Sequence, residues 1–295
     1  MSVAIIINPV AGARARSADA GDLVELARAV VRGSGRRADV FVTERPGHAR
    51  ELARTARRNG ATLVVAWGGD GTVNEVASAL AFGDVPLGIV AEGSGNGLAH
   101  CLGIPEDPAD ALRAAVRLEP RAIDIGEIEG RIFVNLAGIG FDAHIASRFN
   151  TPGNPRRGLM GYALLTMRGL ADYECCRYRI LTPESAATVR ALLVVFANGT
   201  EFGNRIRIAP QARIDDGALD LVVVEEQSRA RTIWNLPRVL VGAVERAPVW
   251  SSRLVQRVTV ESDRPMLFHV DGEPAQGGTR LEVAVRPAAL KICSR

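Results

Sequence analysis

The residues that could do chemistry cluster in three short loops. Gly68–Glu75, GGDGTVNE, follows the apolar run LVVAW; Asn8–Gly12, NPVAG, follows VAIII; Glu92–Ala99, EGSGNGLA, follows LGIV. Glycine lets a backbone approach a ligand closely and adopt positive φ. A helix that begins near Thr72 presents its first N–H groups and the positive end of its dipole, which suits an anion. The hydroxyls of Thr72 and Ser94 can donate to phosphate oxygens. Asp70 has two readings. As a helix cap it would be ordinary. Beside a phosphate its carboxylate is unfavourable unless Mg²⁺ lies between them, directly or through water. Three glycine loops, each directly behind a strand, favour the second reading and a metal–nucleotide complex. The pattern is neither a GxGxxG fingerprint nor a GxxxxGK[ST] phosphate loop.

The elements that must position these loops alternate. Strands are expected at Val3–Ile7, Ala38–Thr43, Thr62–Trp67 and Pro86–Val90, and helices at Asp22–Arg32, His48–Asn59, Thr72–Phe82 and Pro108–Leu118. Short strands separated by helices imply a doubly wound parallel sheet covered on both faces. Ligands of such sheets sit beyond the carboxyl ends of the strands, where all three loops fall. After about Arg121 the texture changes. Ile123–Glu127, Arg131–Ala137, Arg177–Thr182, Arg190–Ala197, Ala218–Glu225, Arg257–Glu261, Met266–Val270 and Arg280–Val285 read as strands. Helical segments near Leu159–Leu170 and Ala230–Val244 interrupt them, and Thr151–Gly161 reads as a loop. The expectation is an α/β nucleotide domain over 1–121 and a mostly antiparallel β-sandwich over 122–286. A tail at 287–295, containing LKIC, would return to the first domain.

Composition sets the bounds. The 295 residues, 47% hydrophobic with mixed charges, suit two ordinary globular domains. A net charge of +3 is a mild basic bias that fits anionic ligands or an acidic membrane surface. Lys291 is the only lysine, so no lysine is available to a phosphate loop or a Schiff base near the N-terminus. The four cysteines have no CxxC spacing, against a disulfide framework or a zinc site. The histidines His48, His100, His144 and His269 are scattered and make weak metal ligands. The first residues lack a signal peptide's basic region, and no window is apolar enough to span a bilayer. A cytoplasmic protein is expected, meeting the inner face of a membrane only at its surface.

With its neighbours NPVAG and GSGNGLA, GGDGTVNE resembles the catalytic domain of the diacylglycerol kinase and sphingosine kinase superfamily. NAD kinases and phosphofructokinases carry a related GGDGT but do not usually combine it with GSGN loops. Phe133–Ala143, FVNLAGIGFDA, is similar to the segment that opens the second domain of bacterial soluble lipid kinases. Asn198–Asp220, NGTEFGNRIRIAPQARIDDGALD, is similar to that family's NG–FGG–IAP–A–DDG–LD pattern, and Val270–Pro274, VDGEP, to a motif near its end. The resemblance covers essentially the whole chain. It implies an ATP- and Mg²⁺-dependent kinase that phosphorylates a lipid hydroxyl, of diacylglycerol or of a sphingosine or ceramide type. Its partner would be lipid at a membrane surface and not nucleic acid. An exposed strand edge could pair in a homodimer.

Residue by residue, the resemblance implies an ATP site lined by Asn8, Pro9, Gly12, Thr43, Gly68, Gly69, Asp70, Gly71, Thr72, Asn74, Ser94 and Asn96. Asp70 would reach the phosphates through Mg²⁺ and water. The Asp216 carboxylate and the carbonyls of Arg213 and Ala218 would hold a second, structural Mg²⁺, and Asp124 would join that metal network. Glu273 would be the general base. On the residues alone Asp215-Asp216-Gly217 is also a plain turn signal, and Glu273 behind Asp271-Gly272 is also a hairpin residue. A carboxylate base makes sense only if the two domains meet and bring Glu273 opposite the glycine loops. Two departures stand out: Gly97 replaces an acid that the family often carries, and Arg14 stands near a frequent lysine. The first leaves the lipid open and keeps a nucleotide-binding sensor without catalysis as an alternative; an NAD kinase is a separate alternative, against which the GSGN loop argues. Arginine can still grip phosphate, with a fork in place of a point charge.

Overall fold

The computed structural model describes residues 2–12, 20–149, 173–203, 206–228 and 248–294, with Gly169 and Arg231 as isolated positions. Arg14, the Thr151–Gly161 loop with Arg156 and Arg157, and Asn204-Arg205 lie outside the described residues. So do the helical segments expected near Leu159–Leu170 and Ala230–Val244, apart from the two isolated positions. The chain divides into two compact units, Met1–Ile123 with Ala288–Arg295, and Asp124–Pro287.

In the first unit β1 (Ser2–Ile7), β2 (Arg37–Val42), β3 (Leu63–Gly68) and β4 (Leu87–Ala91) form a parallel sheet in the order β4-β3-β1-β2. Val3–Ile7 and Leu63–Trp67 are buried along their whole length, as the continuous apolar runs of a sheet covered on both faces must be. Val3, Ile5, Ile7, Leu63, Val65 and Trp67 pack against the helices Ala20–Arg32 and Pro108–Arg117. The helices His48–Arg58 and Asp70–Leu80 cover the alternate residues of β1 and β3. Pro108 stands at the first position of its helix, and the Asp107 carboxylate accepts the Asp110 N–H at 3.0 Å, an ordinary N-cap. A last strand, β15 (Arg280–Cys293), adds beside β4 in parallel, with Ile292 opposite Leu87.

The second unit is antiparallel. It contains β6 (Arg131–Phe133), β7 (Leu136–Gly140), β8 (Cys176–Leu181), β9 (Ala186–Ala197), β10 (Leu219–Glu225), β11 (Trp250–Val255), β12 (Arg257–Ser262), β13 (Leu267–Val270) and β14 (Glu273–Gln276). Pairing runs β14-β13-β7-β9-β8-β12-β15. β5 (Pro120–Ile128) pairs with β15 and β6. The long β9 serves several partners: its first half pairs with β8, its second with β7 on one side and β10 on the other. Phe133, Tyr178, Phe196, Phe268, Val260 and Leu281 fill the core between the strands.

Four differences from the sequence expectation have physical causes. Arg131–Ala137 is not one strand but two, because the N–H groups of Val134, Asn135 and Leu136 all turn to the Asp271 carboxylate at 2.9, 2.9 and 3.0 Å. The segment Phe141–Phe149 is a helix, which its mixed apolar pattern hid. β11 went unread because half of its residues are exposed and, among the described strands, it pairs with β10 alone. Arg280–Val285 and the terminal LKIC belong to one strand, continued past Pro287 with Ala288 at φ 49°.

Candidate functional site

The first constellation lies at the carboxyl ends of β1, β3 and β4. Asn8 continues β1: its N–H donates to the Trp67 carbonyl at 2.8 Å and its Oδ1 accepts the Val10 N–H at 3.2 Å. Its Nδ2 reaches Thr72 Oγ1 at 3.0 Å, joining the first loop to the second. Gly12 closes the first loop at φ 72°, and a Cβ there would stand 1.9 Å from the Glu92 carbonyl oxygen. Gly69 and Gly93 face each other, so that a Cβ on Gly93 would stand 2.7 Å from the Gly69 Cα. These glycines therefore let the loops pack on one another, a demand that the sequence reading had assigned to the ligand alone.

Asp70 is the first residue of the Asp70–Leu80 helix, with Gly69 in the cap position, so it is not the N-cap. Its two oxygens accept the N–H groups of Asn96 at 2.8 Å and Gly97 at 3.0 Å. Asn96 is itself wound into the left-handed region at φ 55°. Its Oδ1 accepts the Gly93 N–H at 2.8 Å and its Nδ2 donates to the Gly93 carbonyl at 2.9 Å. Thus Asp70 clamps the third loop to the start of the helix. A carboxylate offers about four acceptor directions, so this clamp and a metal link are compatible uses of one side chain. The first N–H groups of the helix have no partner within the helix, by its geometry.

The remaining expected residues spread around this centre. Thr43 follows β2 and donates its N–H to the Ile7 carbonyl at 2.8 Å. Pro9 is partly exposed and Ser94 is exposed, while the Gly68 carbonyl accepts the Glu92 N–H at 2.9 Å. Gly71 lies in the first helical turn. Asn74 is buried, its Oδ1 accepting from Ser78 Oγ at 3.4 Å. Two acids that the sequence reading left unassigned also belong here. Glu92 is buried against Gly12. Glu75 accepts the N–H groups of Gly47 at 2.7 Å and Arg50 at 3.3 Å, at the start of the neighbouring helix. Their signal was an acid directly beside a glycine loop.

The second constellation belongs to the second unit. Asp124 is buried; its Oδ2 accepts the Gly217 N–H and its own N–H donates to the Ile214 carbonyl, both at 2.6 Å. It therefore fastens the turn Ile214–Gly217. Asp216 is exposed and its Oδ1 accepts the Ala218 N–H at 3.1 Å, while Arg213 pairs with Asp215 at 3.7 Å. Burial pushes the Asp220 carboxyl above its ordinary range; the Ser252 hydroxyl, donating at 2.8 Å, opposes this and the Asp216 charge adds to it. Among the described residues no group of three or more His, Cys, Asp or Glu could hold a metal. One carboxylate with backbone carbonyls is instead a hard-oxygen set of the kind Mg²⁺ and Ca²⁺ take, so Asp216 with the carbonyls of Arg213 and Ala218 fits by chemistry.

Glu273 opens β14 and is exposed. Val270 pairs with Glu273, leaving Asp271 and Gly272 as a two-residue hairpin turn. Both have positive φ, 46° and 86°, as a type I′ turn requires. The Asp271 carboxylate fastens the turn to the three N–H groups before and at the start of β7. Asp142 and His269 form a buried pair at 3.2 Å beside it, which the scatter of histidines in the sequence did not suggest.

Comparison with known proteins identifies both parts of the chain. Residues 2–128 match the diacylglycerol kinase catalytic domain, and residues 135–294 match the YegS C-terminal NAD kinase beta sandwich-like domain. A Chromohalobacter salexigens protein named "Probable lipid kinase YegS-like" is 36% identical over 270 residues, 90% of this chain and 86% of that one. A Pseudomonas aeruginosa protein of the same name is 33% identical over 273 residues, 91% and 88% of the two chains. A crystal structure of a diacylglycerol kinase from Bacillus anthracis str. Sterne shares the fold, with a TM-score of 0.73, 18% identity and coverage of 100% of this chain and 97% of that one. Another crystal structure from the same organism reaches a TM-score of 0.80 at 22% identity, covering 100% and 95%. The chain belongs to the lipid kinase family that joins a diacylglycerol kinase catalytic domain to a YegS-type C-terminal domain.

Proposed function

We propose that the protein transfers the γ-phosphate of ATP to the hydroxyl of a lipid, diacylglycerol or a close relative, with Mg²⁺. The observation that carries this reading is the Asp70 clamp, which joins the GGDGT helix start and the GSGN loop into one rigid edge. Phosphoryl transfer asks for positioning and charge neutralisation more than for covalent chemistry. Asn8 and Thr72 orient one another at the edge, and the opening amides of the Asp70–Leu80 helix would receive an anion there. Asp70 would hold Mg²⁺, which supplies neutralising charge at the phosphates. Asp216 with the Arg213 and Ala218 carbonyls would hold a structural Mg²⁺ at the turn that Asp124 fastens. Glu273, exposed at the end of its hairpin, would take the proton of the lipid hydroxyl.

A lipid acceptor requires contact with a membrane surface, and none of the described helices is long and apolar enough to cross one. The protein would work as a peripheral enzyme at the inner face. The test uses radiolabelled ATP, Mg²⁺ and a panel of diacylglycerol, sphingosine, ceramide, phosphatidylglycerol and NAD. Labelled lipid is the expected result. Label in NAD alone, or in nothing, overturns the reading. An Asp70→Asn variant puts an amide donor against one of the two backbone N–H groups and removes the charge. It should lose transfer and about 1–3 kcal/mol of stability; full transfer activity would contradict the metal role.

A further inference from the structure

We propose that His269, fixed by Asp142, is the positioning residue of the hairpin that carries Glu273, acting through the Gly272 amide; this rests on the reading of Glu273 as the base. His269 and Asp142 are 3% and 6% exposed, His269 on β13 and Asp142 in the first turn of the Phe141–Phe149 helix. An ionisable pair in such a place is a weak source of stability, since apolar side chains of similar size often serve as well. The ring has two neighbours. Its Nδ1 stands 3.3 Å from the Gly272 N–H, and its Nε2 stands 3.2 Å from Asp142 Oδ2. A backbone N–H can only donate, so Nδ1 must be the acceptor and Nε2 must carry the proton. The Asp142 carboxylate selects that tautomer. Asp142 is itself fixed, because its Oδ1 accepts the Ala143 N–H at 2.8 Å at the start of the Phe141–Phe149 helix.

The backbone has made room for this pair. Gly138 on β7 stands opposite His269 on β13. A Cβ on Gly138 would lie 1.9 Å from Asp142 Oδ2 and 2.9 Å from His269 Nε2. The glycine, the aspartate and the histidine thus form one fitted arrangement. Its outlet is the turn. Asp271 is anchored from one side by three amides, and Gly272 from the other by the imidazole. Glu273 follows at once, so the position of its backbone is inherited from the turn. Displacement of a reacting group by about 1 Å can cost about 10²-fold in rate.

Three variants separate the contacts. In His269→Asn the amide oxygen falls near the place of Nδ1 and can still accept from Gly272. In His269→Gln the amide reaches towards Asp142 and the Gly272 N–H loses its imidazole acceptor. In Asp142→Asn the oxygen stays with the Ala143 N–H, and the amide donates to Nε2. The ring proton then moves to Nδ1, against the Gly272 N–H. Two readouts are taken: hydrogen exchange of the Gly272 amide, and kcat and KM for ATP with diacylglycerol in phosphatidylglycerol vesicles. The expected result is fast Gly272 exchange and a kcat lowered about 10²-fold in His269→Gln and Asp142→Asn, with KM for ATP unchanged. His269→Asn should keep the amide protected and recover most of kcat. Equal Gly272 protection in all three variants overturns the proposal. So does a wild-type kcat in His269→Gln when Glu273→Gln is inactive. A wild-type kcat in Glu273→Gln overturns the base assignment alone. In the unaltered protein, imidazole ¹⁵N shifts must show the proton on Nε2; a proton on Nδ1 overturns the proposal without any variant.

Discussion

At the scale of single residues, one atom often has to satisfy two neighbours. Gly12 shows the consequence. Its φ of 72° and the 1.9 Å between a built Cβ and the Glu92 carbonyl leave an alanine nowhere to stand. Gly12→Ala should shift the NPVAG loop and weaken ATP binding by about tenfold or more, ~1.4 kcal/mol, measured by titration calorimetry. An unchanged affinity would remove the first loop from the nucleotide site. Residue identities at this edge were legible in the sequence because glycine, aspartate and threonine directly behind an apolar run have few other uses there. What they bind inside the protein was not legible. The oxygens of Asp70 choose the amides of residues 26 and 27 positions away, and such partners exist only once the two strands lie side by side.

At the scale of elements, stability is shared across neighbours in the same way. The His48–Arg58 helix has Gly47 in its cap position and no side-chain cap of its own. Glu75, from the Asp70–Leu80 helix, supplies the carboxylate that its opening N–H groups need. Glu75→Ala should cost about 1–2 kcal/mol and lower Tm by roughly 3–6 °C, and Glu75→Gln should lie between. A melting curve identical to the unaltered protein's would show that water replaces the carboxylate without loss. Periodicity gave the four parallel strands of the first unit and its four longer helices to within a few residues, because continuous buried runs and helical spacing are local signals; the one-turn helix Gly97–Cys101 is too short to carry such a signal. It failed at Val134–Leu136, where a distant carboxylate at Asp271 takes the ladder's N–H groups. It failed again at β11, where Ser251, Arg253 and Leu254 are exposed and only Val255 of the six residues is buried.

At the scale of the whole molecule, the chain leaves the first unit within β5 and comes back to it within β15. Leu290 and Ile292 are fully buried there, and Cys293 is packed in the first unit's core. Burial raises the Cys293 thiol from 9.0 to about 11, with Glu119 adding and Arg36 opposing. A raised thiol pKa means that the unfolded chain ionises first. Stability is therefore intact below pH 9.0 and falls until the folded thiol ionises near 11. At pH 8 Cys293 should resist iodoacetamide in the native protein and react only after denaturation, as read by mass spectrometry of the labelled peptide. Rapid native labelling would mean that the terminal strand is not docked. The sequence reading expected a returning tail at 287–295; what it did not show is that this tail is continuous with Arg280–Val285 as one strand, because Pro287 reads as a break.

The return sets an order of events on the ribosome. The first unit is made before the second, yet its sheet lacks the strand that borders β4 until the second unit has been made. At about 5–20 residues per second, the second unit takes on the order of 10 s to make. Through that time the β4 edge is unpaired, and an unpaired edge is a template for pairing with another chain. The first unit is thus begun before the second and finished only after it.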